Sequence, residues 1–203
     1  MIVYDVEQRT REWHALRHGV VTASDAHKLQ TTAKFNTFKY QILAQVLTDL
    51  PENIEDGFQN DAMLRGELLE PVAAKAYAEK TGLDVFGTGF CKSDETPYAG
   101  CSPDLIIGTK GLGEMKIPNT ETHMRYMDGK IPPDIKAQMQ FQMLVFEGER
   151  EWCDFISFDN RLKAKNMHLH VQRFERDDDV IAQFKEALAK LDDFIEDFIY
   201  SRA

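Results

Sequence analysis

The sequence has few cysteines, no long apolar run and no excess of basic residues. Its three cysteines, Cys91, Cys101 and Cys153, lack C-x-x-C spacing and indicate neither a zinc site nor a disulfide framework. No apolar run approaches the ~20 residues that a membrane-spanning helix needs. The formal net charge of −10 argues against a protein that coats nucleic acid non-specifically, because such binding needs a positive surface.

The start of the chain also lacks the basic and apolar segments of a signal peptide, and we therefore expect a reducing, cytoplasmic location. The composition is globular, with 43% hydrophobic and 29% charged residues in a chain of 203. That length suits one domain over residues 1–203. The acidic balance still permits an enzyme with a local basic channel, and bound metal ions would neutralise part of the negative charge.

The most informative stretch covers residues 101–116, with the sequence CSPDLIIGTKGLGEMK. Its apolar part, residues 105–107, predicts a short buried strand. The glycine-rich residues 108–113 predict a hairpin turn, and residues 112–117 the returning strand. The chain therefore folds back on itself at this point.

Three charged side chains of this hairpin indicate chemistry. Because side chains alternate along a strand, Glu114 and Lys116 share one face, Met115 lies on the other, and hairpin closure brings Asp104 near the charged pair. Two carboxylates and an ammonium group suit divalent-metal hydrolysis, in which hard oxygen ligands hold Mg²⁺ and the lysine handles the attacking water. A solvated hairpin with ordinary surface charges is the alternative.

A second polar segment follows a helix predicted over residues 7–18. Thr22 and Ser24 are both possible N-caps for a helix that continues to about Leu29. A helix N-terminus beside Arg17 would form a phosphate pocket of N–H groups, hydroxyls and a guanidinium. Simple capping beside a surface arginine is the alternative.

The remaining pattern predicts one α/β domain with a central mixed β-sheet flanked by helices. Residues 31–36 predict a polar loop, and the acidic residues 51–60 break the helical pattern. The predicted helices cover about 37–50, 61–80, 134–146 and 178–200, and the predicted strands 84–92, 98–101, 151–158 and 166–174. Residues 119–130 form either a short helix or an ordered loop. The last helix packs either on its own domain or on another subunit.

Several polar side chains within these elements have two possible roles. Glu70 precedes Pro71, which either kinks its helix or begins a new one, and Glu70 is either a site residue or an exposed helix acid. His168 and His170 alternate along a strand, where a wet face is preferred over a metal pair because no carboxylate is arranged with them. Gln138, Gln140 and Gln142 on the 134–146 helix are expected to be solvated.

Four motifs in sequence order resemble one known family. They are WHALRHGVVTAS from residue 13, G-x-x-x-E-P from residue 66, CSPD followed by EMK within 101–116, and KAQMQ from residue 136. In this order they resemble the phage lambda exonuclease family, also called YqaJ-like viral recombinases, of the PD-(D/E)xK nuclease superfamily. The resemblance covers about residues 10–175 and implies a restriction-endonuclease-like PD-(D/E)xK core.

The resemblance implies a role for each matching residue. Asp104, Glu114, the Met115 carbonyl and Glu70 would bind metal, and Lys116 would orient or deprotonate the attacking water. The residues matching the family's site for the terminal 5′-phosphate are Arg17, Thr22, Ser24, Ser102 and Gln138.

The implied activity is a Mg²⁺-dependent 5′→3′ exonuclease that digests linear double-stranded DNA to 5′-mononucleotides and leaves a 3′ overhang for phage-type recombination. Two Mg²⁺ ions would act, with Mn²⁺ as a substitute. Three subunits would form a ring around the DNA, in a bacterial cell and encoded by a phage or prophage, with a single-strand annealing protein as partner. The alternatives are a structure- or sequence-selective endonuclease with the same metal site and a non-catalytic DNA-end-binding scaffold.

The sequence departs from the family pattern in two places. Leu105 stands where the family usually has glycine after Ser-Pro-Asp. Residues 31–40, where the resemblance implies groups that separate the duplex end, match poorly, and Phe35 and Phe38 are the candidate wedge residues. The basic side chains that could line a DNA channel are Lys34, Lys39, Arg161, Lys163 and Lys165.

Overall fold

The computed structural model describes residues 1–51 and 61–202, so nearly all of the break predicted over 51–60 lies outside the described residues. The described α-helices are α1 (Arg11–Arg17), α2 (Thr32–Val46), α3 (Asp61–Thr81), α4 (Thr120–Met127), α5 (Pro133–Val145) and α6 (Asp178–Tyr200). The strands are β1 (Ile2–Tyr4), β2 (Val21–Thr22), β3 (Val85–Phe86), β4 (Phe90–Lys92), β5 (Ala99–Cys101), β6 (Leu105–Ile107), β7 (Gly111–Lys116), β8 (Trp152–Phe158) and β9 (Leu169–Glu175). Short 3₁₀ helices cover Ala23–Lys28 and Lys165–Met167.

The described strands form two mixed sheets, in the orders β1-β4-β5-β2 and β3-β6-β7-β8-β9. This confirms the α/β class with mixed sheet and flanking helices, although the predicted single central sheet is divided in two. The strand predicted over 84–92 is divided as well, because β3 pairs with β6 and β4 pairs with β5. Between them, Gly89 passes so close to the N-terminal segment that a Cβ would lie 2.2 Å from the Tyr4 carbonyl oxygen.

The predicted hairpin is confirmed. β6 and β7 pair antiparallel, with Leu105 opposite Gly113 and Ile107 opposite Gly111. The turn is shorter than predicted, and β7 already begins at Gly111. A Cβ on this glycine would lie 2.1 Å from the Trp152 ring, so only glycine lets the indole cover the start of the strand.

α2 differs from its prediction. It begins at Thr32, so the polar loop expected over 31–36 is wrong, and its buried residues are Phe38, Ile42 and Leu43. The burial of Phe38 also excludes it as a wedge, because its side chain is 4% exposed within the main core. Phe35 is half-buried and packs against the same core.

α3 and α6 resolve two alternatives. α3 continues through Pro71 without a break in its helix and ends before Gly82, whose φ of +70° suits a glycine after a helix. α6 matches its predicted bounds of 178–200 and packs on α2 and α5 of its own chain. No helix among residues 1–51 and 61–202 is long and apolar enough to cross a membrane.

The histidines near β9 differ in their contacts. His168 caps the second 3₁₀ helix, and its Nε2 lies 2.6 Å from the Leu162 carbonyl oxygen. His170 lies within β9, and both side chains are half-buried rather than fully wet.

Candidate active site

The β6–β7 hairpin positions the first three predicted site residues. Asp104 immediately precedes β6, and its Oδ2 accepts a hydrogen bond from the Met115 backbone N–H at 2.6 Å. Glu114 and Lys116 lie on one face of β7, as the alternation predicts, and Lys116 Nζ donates to Glu114 Oε1 at 2.5 Å. Hairpin closure therefore brings Asp104, Glu114 and Lys116 together.

Gln142 is a member of this site that the sequence analysis missed. It lies on α5, is completely buried and donates from Nε2 to Glu114 Oε2 at 2.7 Å. The solvated state expected for Gln142 is therefore wrong, and so is that of Gln140, whose amide binds backbone groups of Glu175 and Asp177. The sequence contains one indication that Gln142 is buried, because residue 142 lies three residues after Met139, on the apolar face of the helix.

The pKa values of Asp104 and Lys116 are both raised, but for different reasons. Burial, reinforced by the charges of Glu114 and Glu70, raises the pKa of Asp104 well above its ordinary range, although Lys116 opposes this. Burial acts to lower the pKa of Lys116, but the carboxylates of Glu114 and Asp104 outweigh it and the pKa is raised. Lys116 is therefore held as an ammonium ion, while the carboxylates repel one another.

Glu70 reaches the hairpin from α3. It lines a cavity of about 250 Å³ together with Asp104 and Met115, and we call this space the carboxylate cavity. Glu114 is not among the residues lining this cavity, because it is buried and bound to Lys116 and Gln142. The structure thus brings Glu70 to Asp104, and places Glu114 one residue along β7 from Met115.

The donor set fits a hard divalent cation. Within residues 1–51 and 61–202, no three His, Cys, Asp or Glu side chains are arranged to hold a metal as they stand. The available ligands at the carboxylate cavity are oxygens of Glu70, Asp104 and the Met115 backbone, which Mg²⁺ prefers over nitrogen or sulfur. A cation there would also relieve the repulsion that raises the pKa of Asp104.

Four of the five predicted phosphate residues are connected. The Arg17 guanidinium lies 3.9 Å from the centroid of the Trp13 ring, and Trp13 Nε1 donates to Ser102 Oγ at 2.9 Å. Thr22 Oγ1 lies 3.0 Å from Ser24 Oγ, and Arg17 and Thr22 line one cavity of about 340 Å³. Trp13, as the bridge between Arg17 and Ser102, was not predicted.

The local backbone of this pocket differs from its prediction. The helix after Thr22 is the 3₁₀ helix Ala23–Lys28, and the Thr22 side chain makes no capping hydrogen bond. Asp25 also lines the cavity, where it pairs with Lys28 at 2.7 Å. Burial lowers the pKa of Arg17, and the Asp25 charge opposes this shift.

Gln138 is the fifth predicted phosphate residue, and its side chain does not share the contacts of the other four. It is half-buried on α5, and no hydrogen bond among the described residues joins its side chain to the other four. However, α5 packs on the 3₁₀ helix that follows Thr22 and on β5, which leads to Ser102. The helix therefore faces the same region of the molecule.

The family model and the solved structures that match this chain agree with each other. The model of the YqaJ-like viral recombinase domain matches residues 12–149. Two crystal structures of an alkaline exonuclease from Laribacter hongkongensis, one in complex with dAMP, share 36% identity with the chain at a TM-score of 0.78, over 95% of this chain and 98% of theirs.

A phage-related exonuclease from Haemophilus somnus 129PT shares the fold, with 15% identity and a TM-score of 0.67 over 93% of this chain and 98% of that one. No curated protein sequence matches the chain closely enough to count as a relative. The family match spans more than half of the sequence, and the Laribacter protein aligns over almost all of it. The chain belongs to the family of YqaJ-like viral recombinases.

Proposed function

We propose that the protein is a Mg²⁺-dependent 5′→3′ exonuclease that digests linear double-stranded DNA to 5′-mononucleotides and leaves a 3′ overhang. The observation that carries the proposal is the meeting of Glu70, Asp104 and Met115 at one cavity, beside the hydrogen-bonded pair Glu114–Lys116. Its relatives support the reaction class, since the 36% identical protein is an alkaline exonuclease and was crystallised with dAMP, a mononucleotide.

Asp104, Glu70 and the Met115 carbonyl would hold the metal, with Glu114 as a further ligand. Bound Mg²⁺, with two ions expected and Mn²⁺ able to substitute, would activate the attacking water and neutralise charge on the phosphate. The fixed part of the site is Glu114, whose two carboxylate oxygens accept from Lys116 and Gln142. These two hydrogen bonds hold the carboxylate in one orientation before substrate binds.

Lys116 would orient the water rather than deprotonate it. Its raised pKa keeps the ammonium charged at neutral pH, so its available chemistry is to donate hydrogen bonds. One donation already goes to Glu114, and the ammonium has two further protons for a water molecule or a phosphate oxygen. Its side chain is 34% exposed, which allows access from solvent.

The cavity lined by Arg17 and Thr22 would bind the terminal 5′-phosphate and so set the direction of digestion. A partly desolvated guanidinium and hydroxyls suit a phosphate dianion. Ser102 ties this pocket to the cleavage site, because it contacts Trp13 and precedes Asp104 by two residues. Gln138 would complete the pocket from α5.

The assembly is a further part of the proposal. Three subunits would form a ring around the duplex in the bacterial cytoplasm, and a single-strand annealing protein would load onto the overhang. Lys34 is exposed and suits a channel wall, whereas Arg161 is already bound to Asp159 at 2.7 Å and contributes less free charge. The solution mass, by light scattering, tests the trimer.

The reaction is tested by incubating the protein with Mg²⁺ and either linear or covalently closed duplex DNA. The proposed exonuclease degrades the linear form and spares the circle, with EDTA stopping the reaction. Cleavage of the closed circle would identify an endonuclease, and binding of ends without any turnover would identify a scaffold. The presence of Asp104, Glu114 and Lys116 together favours a catalytic protein over a non-catalytic scaffold, which would not need all three.

A further inference from the structure

Arg9 has an unusual backbone conformation. Its φ is 69°, in the left-handed region where the Cβ of an L-residue crowds the backbone. Glycine adopts this conformation without that penalty. An arginine in this position is therefore kept against local strain, and such residues cluster at functional sites.

The turn around Arg9 does not need an arginine. The Gln8 side chain donates to the Thr88 carbonyl oxygen at 3.3 Å, and the Thr10 hydroxyl donates to the Glu7 carbonyl oxygen at 2.7 Å. These contacts fix the chain on both sides of residue 9 without using its side chain. Glycine would serve the backbone better, so the reason for the arginine lies in its guanidinium.

That guanidinium lies at the carboxylate cavity. Of the described residues that line this cavity, Arg9 is the single cation, among the acids Glu7, Glu70 and Asp104. It forms an ion pair with Glu67, which lies three residues before Glu70 and so on the same face of α3. The Arg9 side chain is 44% exposed, and a pair this open to solvent is readily exchanged.

We infer that Arg9 binds a phosphate of the DNA strand at the mouth of the carboxylate cavity, leaving Glu67 when the strand arrives. Guanidinium presents paired N–H donors that match phosphate oxygens, and it remains charged at any working pH. This contact is separate from the 5′-phosphate pocket, because Arg17 lines a different cavity. The inference rests on the proposed function for the identity of the ligand as DNA.

The substitution Arg9→Gly separates this role from a structural one, because it removes the charge and also relieves the strained backbone. Binding of a 5′-phosphorylated linear duplex is measured over a range of salt concentrations in a Lys116→Ala background, which keeps the DNA intact. We expect the slope of log K against log salt to fall by about 1, since one phosphate contact is lost. We also expect Tm to rise by about 2–4 °C as the strain is relieved.

Two matched variants complete the test. Arg9→Lys keeps the charge and should retain the slope, and Arg11→Ala removes a nearby cation outside the cavity and should also leave the slope unchanged. An unchanged slope for Arg9→Gly, or a lowered Tm with weaker binding, would overturn the inference. Arg9 would then have only a structural role, through its ion pair with Glu67. If the wild-type protein binds duplex DNA without digesting it, the proposed exonuclease activity is refuted, but the comparison of salt slopes still tests the role of Arg9. If the wild-type protein binds no DNA, the proposed activity and the role of Arg9 are both refuted.

Discussion

Gln142 donates a hydrogen bond from its side-chain amide to Glu114 Oε2 at 2.7 Å. Gln142 and Glu114 are 0% and 1% exposed as residues, and the other carboxylate oxygen of Glu114 accepts a hydrogen bond from Lys116. A buried carboxylate is stable only when its oxygens have donors. Gln142 therefore holds the orientation of the Glu114 carboxylate, a proposed metal ligand, from the adjacent helix α5.

Gln142→Leu should lower the free energy of unfolding by about 1–3 kcal/mol, the cost of leaving a buried polar group unpaired, and should slow DNA digestion. Denaturant titration and initial rates measure the two effects. Gln140→Leu is the matched control, because the Gln140 amide binds only backbone groups away from Glu114. It should lose stability but keep activity, and equal loss of activity in both variants would contradict a special role for Gln142.

Asp104 should make the metal-free protein more stable as the pH falls toward about 4. Burial and the Glu114 charge raise the pKa of Asp104 in the folded state above the unfolded value of about 3.9. The folded state therefore binds this proton more tightly, and ionisation weakens folding as the pH rises through the folded pKa. Tm measured against pH in EDTA should show this component in the wild type and not in Asp104→Asn, and parallel curves above pH 4 would be evidence against it.

Mg²⁺ should stabilise the wild-type protein through the same carboxylate. A ligand that binds only the folded state at 100 times its Kd adds about 2.7 kcal/mol to the free energy of unfolding. The rise in Tm on adding Mg²⁺ should be large for the wild type and much smaller for Asp104→Asn and Glu70→Gln. Glu121→Gln, an exposed acid on α4, is the control and should respond like the wild type. Equal shifts in all four proteins would place the metal elsewhere.

Arg17→Ala should reduce the preference for 5′-phosphorylated over 5′-hydroxyl ends by about 10- to 100-fold, the equivalent of a charged hydrogen bond. The ratio of initial rates on the two substrates measures this preference. Trp13→Phe keeps an aromatic ring under Arg17 but removes the donor to Ser102, so its effect should be smaller. Arg125→Ala, an exposed cation on α4, should leave the ratio unchanged. An unchanged ratio in Arg17→Ala would contradict the proposed 5′-phosphate pocket.

The elements that the sequence predicted well depend on local patterns. α6 has buried residues at regular helical spacing, and its bounds are those predicted. The hairpin combines an apolar strand, a glycine turn and alternating charges, so Asp104, Glu114 and Lys116 could be brought together before any tertiary contact was known. Glu70 was added to them through the resemblance, and the structure places it with Asp104 and Met115 at the carboxylate cavity.

The missed features depend on tertiary contacts. In α2 the apolar residues Tyr40 and Val46 are exposed, whereas Phe38 and Ile42 are buried, and only the packing partner decides which face of the helix is buried. Gln142 is buried because Glu114 supplies its acceptor from another element. The left-handed backbone of Arg9 follows from contacts on either side of it, which no local pattern of the sequence indicates.

The proposed reaction is the release of mononucleotides from 5′ ends at the site built around Asp104 and Lys116. The most direct measurement uses linear duplex DNA labelled either at the 5′-phosphate or at the 3′ end, with products resolved early in a Mg²⁺ reaction. We expect the 5′ label to appear at once as a mononucleotide and the 3′ label to stay on a long strand, and we expect folded Asp104→Ala and Lys116→Ala to release neither label. Early release of the 3′ label, or undiminished release by these variants, would contradict the proposed reaction.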